Sequence, residues 1–406
     1  MSVRQGGASS PSLDRAIASL DNWVQQCGWI GYDPYDLRAH PAFLRLGRYR
    51  LTAAVSRAAA HLFPLSLRRL LHVQPVAHAK AMALFADAYL TLWDLTGDAA
   101  YRRLAEGRLA WLRENTAPGY SGLAWGLPFA YQGRNLVPAG VPGVVITAIA
   151  AHAFLHAYQS LGEPSHLEAA RSACRFLAAD VPRYEPDGGR LCFSKMPGVG
   201  WHIHNANLMT AAALATVGRA AGTDEWEDLV RRAANYSLAE QREDGAWYYW
   251  GPPDQLMHWV DHYHTGFVLR ALDDLLRATG WQDLREPLDR GYVFYTQRLF
   301  DEGCIPRLTE ASRYPVDIHS CAEAVLCLSQ LSARYEDALS RACAVADWTL
   351  AHMRHPSGTF YYRRYRWLTI KIPYMRWGQA WMMVALTKLQ QALAAAAGSD
   401  LRSGER

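Results

Sequence analysis

Three short stretches of this chain carry the groups that proton transfer or glycosidic cleavage needs. His202, His204, Asn205 and Asn207 stand together, as do His258, Asp261, His262 and His264, and a third set is Arg313, Tyr314, Asp317 and His319. Imidazoles beside carboxylates move protons, while Asn and Arg neutralise a carboxylate or a developing oxyanion. Removal of the proton alpha to a sugar carboxylate, the chemistry of a polysaccharide lyase or uronate epimerase, would draw on Asn205, Arg313, His264 and Tyr263. Inverting glycoside hydrolysis needs two carboxylates roughly 6.5–9.5 Å apart, and Asp261 and Asp317 are the natural pair. A metal site would use His258, His262 and His264, with Asp261; the His258 to His262 spacing is i,i+4, but there is no HExxH motif, so neither metal nor cofactor is expected. The catalytic set is therefore His204, Asn205, Asp261, Tyr263, His264 and Asp317. Plainer roles compete: an Asp at a helix start caps it, an Asn of the 205/207 pair does the same, and a loop His donates to a carbonyl.

Aromatic residues crowd the same connections. The chain has 15 Trp and 21 Tyr, and many, including Trp201, Tyr248, Tyr249, Trp250 and Trp259, fall between helical stretches. Sugars, with apolar C–H faces and polar rims, suit such a stacking surface. The alternative is a plug of short strands, which the turn-then-strand patterns at 245–250 and 358–362 suggest. The expected substrate contacts are Trp201, His202, Tyr248, Trp250, Arg313, Tyr314, His319 and Arg376. Residues 363–371 alternate basic and aromatic types and, with Arg376 and Trp377, suit an acidic glycan or a lipid diphosphate, or form an edge strand guarded by charge. Arg313, Arg363, Arg364 and Arg376 are expected at one mouth, where guanidinium groups bind a uronate bidentately.

The elements that must position these groups recur. Apolar helical runs, each led by a short polar loop, occupy 76–97, 141–162, 204–222, 261–280, 317–334 and 376–397. Between them lie helices with narrower apolar stripes at 101–116, 166–180, 225–241, 284–300 and 336–353. A helix apolar nearly all round is buried, and one with a charged face looks outward. The pattern predicts an all-α (α/α)6 toroid with short β-hairpins at one mouth, spanning 11–397 as a single domain between a disordered lead (1–10) and tail (398–406). The helix at 12–27 is expected to serve as outer partner to the last inner helix, and 22–37 with 64–71 to dock across the ring.

Composition sets limits. The net charge of +4 on 406 residues argues against nucleic acid. No run reads as long and uninterrupted enough to span a bilayer, and no apolar leader is present. Seven cysteines without a CxxC pair fit a reducing, cytoplasmic setting, with Cys174, Cys321, Cys327 and Cys343 in helices.

The stretches Gly31-Tyr32-Asp33-Pro34-Tyr35-Asp36, Gly126 to Gln132 followed by Val141-Pro142, His204-Asn205-Ala206-Asn207 and Asp261 to Gly266 together resemble bacterial proteins associated with extracellular polysaccharide biosynthesis. These are of the six-hairpin glycosidase-like type, often found with glycosyltransferases. The resemblance covers nearly the whole chain. It implies an α/α toroid and a polysaccharide context, but no catalytic residue. The expected function is lyase, C5-epimerase or hydrolase action on a uronate-containing glycan or glycolipid, alongside other polysaccharide-assembly proteins. Two other classes stand. A terpene cyclase or prenyltransferase shares the toroid, and 317–323 and 241–247 are faintly similar to its motifs, but Asp273-Asp274 lies within a helix body. A glycan-binding scaffold would need the aromatic cleft alone.

Overall fold

The computed structural model describes residues 10–46, 50–132, 136–254 and 258–403. Six inner helices form a closed ring: α6 (Ala79–Thr96), α8 (Val144–Leu161), α10 (His204–Ala221), α12 (His262–Thr279), α14 (Ile318–Leu331) and α16 (Ala380–Ser403), each packed on the next and α16 on α6. Outside them lie α7 (Ala99–Glu114), α9 (Pro164–Ala179), α11 (Glu227–Ala239), α13 (Arg285–Arg298) and α15 (Ala338–His352), each packed on the inner helix before it. The sixth outer position is filled by α1 (Ser10–Gln26), which packs on α16. Its stripe Leu13, Ile17, Leu20 and Val24 is buried, each side chain stabilising by about 1.5–3 kcal/mol. This is an (α/α)6 toroid.

The alternation follows from local signals. Inner helices α6, α8, α10 and α12 each end at a left-handed glycine, Gly97, Gly162, Gly222 and Gly280, where a Cβ would be strained. The chain then reverses into the outer helix within a few residues. Four short helices, α2 (Asp36–Ala39), α3 (Pro41–Leu46), α4 (Arg50–Leu62) and α5 (Pro64–Leu70), form an arm between α1 and α6. Strands fill the connections at one mouth: the pair β1 (Tyr131–Gln132) and β2 (Leu136–Val137), the sheet β3 (Arg183–Asp187), β4 (Arg190–Met196) and β5 (Val199–His202), the pair β6 (Phe300–Asp301) and β7 (Ile305–Pro306), and the sheet β8 (Val316–Asp317), β9 (Arg363–Arg364) and β10 (Thr369–Ile370). Every pairing is antiparallel.

One expectation needs correction. Residues 398–403 continue α16 rather than forming a tail, while 1–9 and 404–406 lie outside the described residues. By length and composition α8 could cross a membrane, but it is a wall of the ring, with twelve of its residues buried.

The 31–36 stretch locks the ring. Gly31 exchanges backbone hydrogen bonds with Val76, both 3.1 Å, and a Cβ on it would come 2.6 Å from Met375. Arg376 grips Asp33 with both guanidinium edges, Nε to Oδ2 at 2.5 Å and Nη2 to Oδ1 at 2.8 Å. Arg68 of α5 binds the Asp33 carbonyl at 2.7 Å and the Asp36 carboxylate at 2.5 and 3.2 Å. Both pairs are buried, so removing one partner strands a charge. Asp33→Ala is expected to cost about 3–5 kcal/mol, measured by denaturant unfolding; a loss below about 1 kcal/mol, the size of a surface pair, would show the lock to be dispensable.

Candidate active site

The N-terminal ends of all six inner helices open on one cavity of about 330 Å³. Its lining includes Lys80 from α6, Val145 and Ile146 from α8, Asn205 from α10, Tyr263, His264 and Phe267 from α12, and His319 from α14. Arg376 and Trp377 come from the π-helical turn leading into α16, and Lys195, Met196 and Trp201 from β4 and β5. Tyr249, Trp250 and Trp259 close one side, with Tyr35 of the N-terminal arm opposite. No Asp or Glu is among the described lining residues.

Two imidazoles are held there by the same device. Asp261 caps α12, its Oδ1 accepting the His264 N–H at 2.9 Å and its Oδ2 taking Nδ1 of the His264 ring at 2.6 Å. Nδ1 is therefore the donor, and Nε2 is left to exchange a proton. Asp317 caps α14, its Oδ1 accepting from the His319 N–H and from Trp377 Nε1, both at 2.9 Å, and its Oδ2 from Arg363 Nε at 2.6 Å. Nδ1 of His319 donates to the Trp377 carbonyl at 3.0 Å, and its ring stacks on Trp377 with centroids 4.6 Å apart. Burial, with Lys80 and Arg376 nearby, drives the His319 pKa well below its ordinary value, so it stays neutral with an accepting Nε2. Tyr263 touches both rings, at 4.3 Å from His264 and 4.8 Å from His319. Burial and Asp261 hold its phenol far above the ordinary range, making it a donor rather than a base.

Lys80 is the third perturbed group of the cavity. Burial, reinforced by Arg376 and Lys195, lowers its pKa to about 7, and its amine lies over Trp381, 5.7 Å from the ring centroid. Phe267 of the lining packs on Trp381, their ring centroids 5.3 Å apart.

Seven of the expected residues thus meet at the cavity: Asn205, Tyr263, His264, Trp201, Trp250, His319 and Arg376. Asn205 lies there with its Oδ1 lacking a hydrogen-bond partner. Asp261 and Asp317 stand behind the imidazoles as their supports. The remaining expectations are corrected. His204 faces the outer layer, its Nδ1 3.2 Å from Ser237 Oγ and its ring beside Tyr236, and burial lowers its pKa to about 4. His202 is held by Asp254 at 2.8 Å, and Tyr248 packs on His258. Arg313 and Tyr314 lie outside, Arg313 paired with Glu302 at 2.9 Å. Arg363 is committed to Asp317, and Arg364 reaches the His352 carbonyl. The proposed metal trio diverges, since His262 packs on Tyr295 and Phe300; among the described residues no cluster of His, Cys, Asp and Glu could hold a metal ion. Lys80 and Lys195 were not anticipated. The signal for Lys80 is its place as the one charge in the apolar run 79–86.

No protein-family model matches the chain, and no curated protein matches it by sequence. Solved structures do match in fold. A possible member of the GH105 family from Salmonella enterica is 12% identical, covering 96% of this chain and 97% of that one at a TM-score of 0.64. Cellobiose 2-epimerase from Bacillus thermoamylovorans is 12% identical over 79% of this chain and 90% of its own, at 0.61. An unsaturated glucuronyl hydrolase specific for heparin is 13% identical over 79% and 88%, at 0.58. These neighbours are six-hairpin enzymes that act on carbohydrates.

The chain has only four lysines, Lys80, Lys195, Lys371 and Lys388, so each resolves after reductive ¹³C-methylation. One resonance, absent from Lys80→Met, should titrate near pH 7. If all four titrate in the ordinary lysine range, Lys80 is not desolvated as described.

Proposed function

We propose that this cavity moves a proton at the carbon alpha to the carboxylate of a sugar acid, giving uronate epimerisation or lyase-type elimination. One observation carries the reading: two supported imidazoles and two lysines share a cavity with no Asp or Glu among its described lining residues. Glycoside hydrolysis by a carboxylate pair is disfavoured, because Asp261 and Asp317 are already engaged by His264, His319, Trp377 and Arg363.

The neutral His319 takes the proton through Nε2, and the electron pair moves onto the sugar carboxylate. Lys80 stabilises that charge, with Lys195 strengthening the local field, while Arg376, paired with Asp33, shapes the wall beside it. His264, oriented by Asp261 through Nδ1, returns a proton to the opposite face in epimerisation, or gives it to the departing glycosidic oxygen as a double bond forms. Tyr249 and Trp250 offer the sugar an apolar face, with Trp201 edge-on to Trp250 at 6.2 Å. We place this chemistry inside the cell, in the synthesis or modification of a surface polysaccharide, with an acidic glycan or glycolipid as substrate. All seven cysteines are free thiols, which suits a reducing compartment.

Incubating oligouronates in D₂O should place deuterium alpha to the carboxylate or generate an ultraviolet-absorbing double bond. Asp261→Asn, which disturbs the His264 tautomer, should lower kcat on the order of 10²–10⁴-fold with little change in KM. Accumulating reducing ends without deuterium would sink the proposal. Deuterium at C2 of a neutral disaccharide, with none in uronates, would shift the chemistry to aldose epimerisation.

The pH profile supplies a separate check. A lysine with a lowered pKa is charged below that value and loses its charge as pH rises through it. For oligouronates kcat/KM should therefore fall above about pH 7, and Lys80→Arg should move that limb upward. A limb unmoved in the Arg variant would remove Lys80 from substrate binding.

A further inference from the structure

A second feature, outside the cavity, remains unexplained. Residues 37–86 contain seven arginines and Lys80 but no Asp or Glu, and this stretch includes all of the α2–α5 arm but its first residue, Asp36. Among the described residues, much of the exposed large apolar surface lies here: Val55 is 63% exposed, Phe63 60% and Leu70 71%, with Leu46, Leu62 and Leu65 also open to solvent. The tip of the β9–β10 hairpin adds Trp367, 87% exposed, and Leu368. Hairpin and arm are one surface, because Tyr365 meets His61 of α4 at 2.6 Å between Oη and Nε2, with ring centroids 5.4 Å apart. Arg366 lies over the Trp367 ring at 4.9 Å, and Arg364 and Lys371 flank the tip.

We propose that this arm and hairpin form a docking surface for an anionic lipid bilayer. Exposed Trp, Phe and Leu beside arginines, with the arm's one acidic residue, Asp36, buried against Arg68, is the composition that inserts at a headgroup boundary while neutralising acidic lipid. A symmetric contact with a second copy would set arginine against arginine, and a purely electrostatic site for an acidic protein gives no reason to expose Trp367 and Phe63. The surface adjoins the cavity mouth: Arg68, on α5, binds Asp33, which binds Arg376 in the cavity lining. A docked protein would thus work on glycans held at the membrane surface. The proposal does not depend on the reaction type.

Sedimentation with vesicles tests it. The full chain should bind phosphatidylcholine vesicles containing phosphatidylglycerol, bind pure phosphatidylcholine poorly, and be released by high salt. Reversing two charges, Arg364→Glu with Arg366→Glu, should weaken partition at least roughly thirtyfold, and Phe63→Ser with Trp367→Ser should weaken it with no change in net charge. Melting temperatures of the variants control for folding. Independently, brominated lipid should quench wild-type fluorescence more than that of Trp367→Phe, a variant that keeps the apolar tip. Equal binding to both vesicle types, no binding to either, or equal quenching of the two proteins would overturn the proposal. A concentration-dependent dimer abolished by Phe63→Ser would assign the patch to a second copy instead.

Discussion

The site depends on one constraint: the helix starts that converge on the cavity present backbone N–H groups that have no partner within the helix. Each needs an acceptor, because a buried unsatisfied donor costs about 1–3 kcal/mol. This chain supplies Asp261, Asp317 and the ring nitrogen of His78, which accept from the N–H groups of His264, His319 and Lys80 at 2.9, 2.9 and 3.0 Å. The carboxylates that might have served as acids and nucleophiles are thereby turned into caps. What projects into the space is the next layer, imidazole and ammonium, in a field made positive by helix dipoles as well as by side chains. A cavity built this way favours an anion and a proton in transit over hydrolysis by paired carboxylates.

Closing the ring poses a second problem, since the last inner helix has no outer helix following it in sequence. The N-terminal helix α1 fills that place, and the 31–36 loop fastens it through two arginines. Arg376 is flanked by Tyr35 and Trp377, with its guanidinium 5.5 and 5.4 Å from their centroids, and Arg68 lies between Tyr32 and Tyr374 at 5.4 and 5.1 Å. Burying a guanidinium is tolerable when its plane meets aromatic faces and its edges meet carboxylates. The same contacts bring Tyr35 and Arg376 to the cavity wall, so closure of the fold and construction of the site are one event.

The toroid was legible because its signal is long and repeated: six apolar helical runs alternating with six amphipathic ones, counting the helix at 12–27, leave few other architectures. The two imidazoles at the cavity were legible as members of polar clusters at inner-helix starts. Their neighbours were not separable by sequence. His202, His204 and His262 sit within three residues of cavity-lining positions, yet a rotation of one or two residues about a helix start turns a side chain from the axis to the outer layer. The arginines misled for a related reason. Arg363 enters the mouth as expected, but the pairing of β8 with β9 sets it opposite Asp317, and an ion pair formed within the protein leaves little for a ligand. Lys80 was not legible because a single charge in an apolar run carries no spacing pattern; only the closed ring brings its buried side chain to the cavity lining.

The distribution of charge then takes on a direction. Acidic residues are absent from 37–86 and present along the outer helices, as in the pairs of Arg102 with Glu106 and Arg231 with Asp283. Segregation of this kind is not needed for folding, since mixed signs on the arm would serve stability at least as well. It is accounted for if the arm meets a negatively charged surface, and the cavity, with its own cations, lies just beyond. An acidic glycan approaching from that side would pass from one positive region into another, while the buried Asp36–Arg68 and Asp33–Arg376 pairs fix the arm rigidly to the cavity wall. Orientation of the arm at the surface would then be passed to the cavity wall through these two buried pairs.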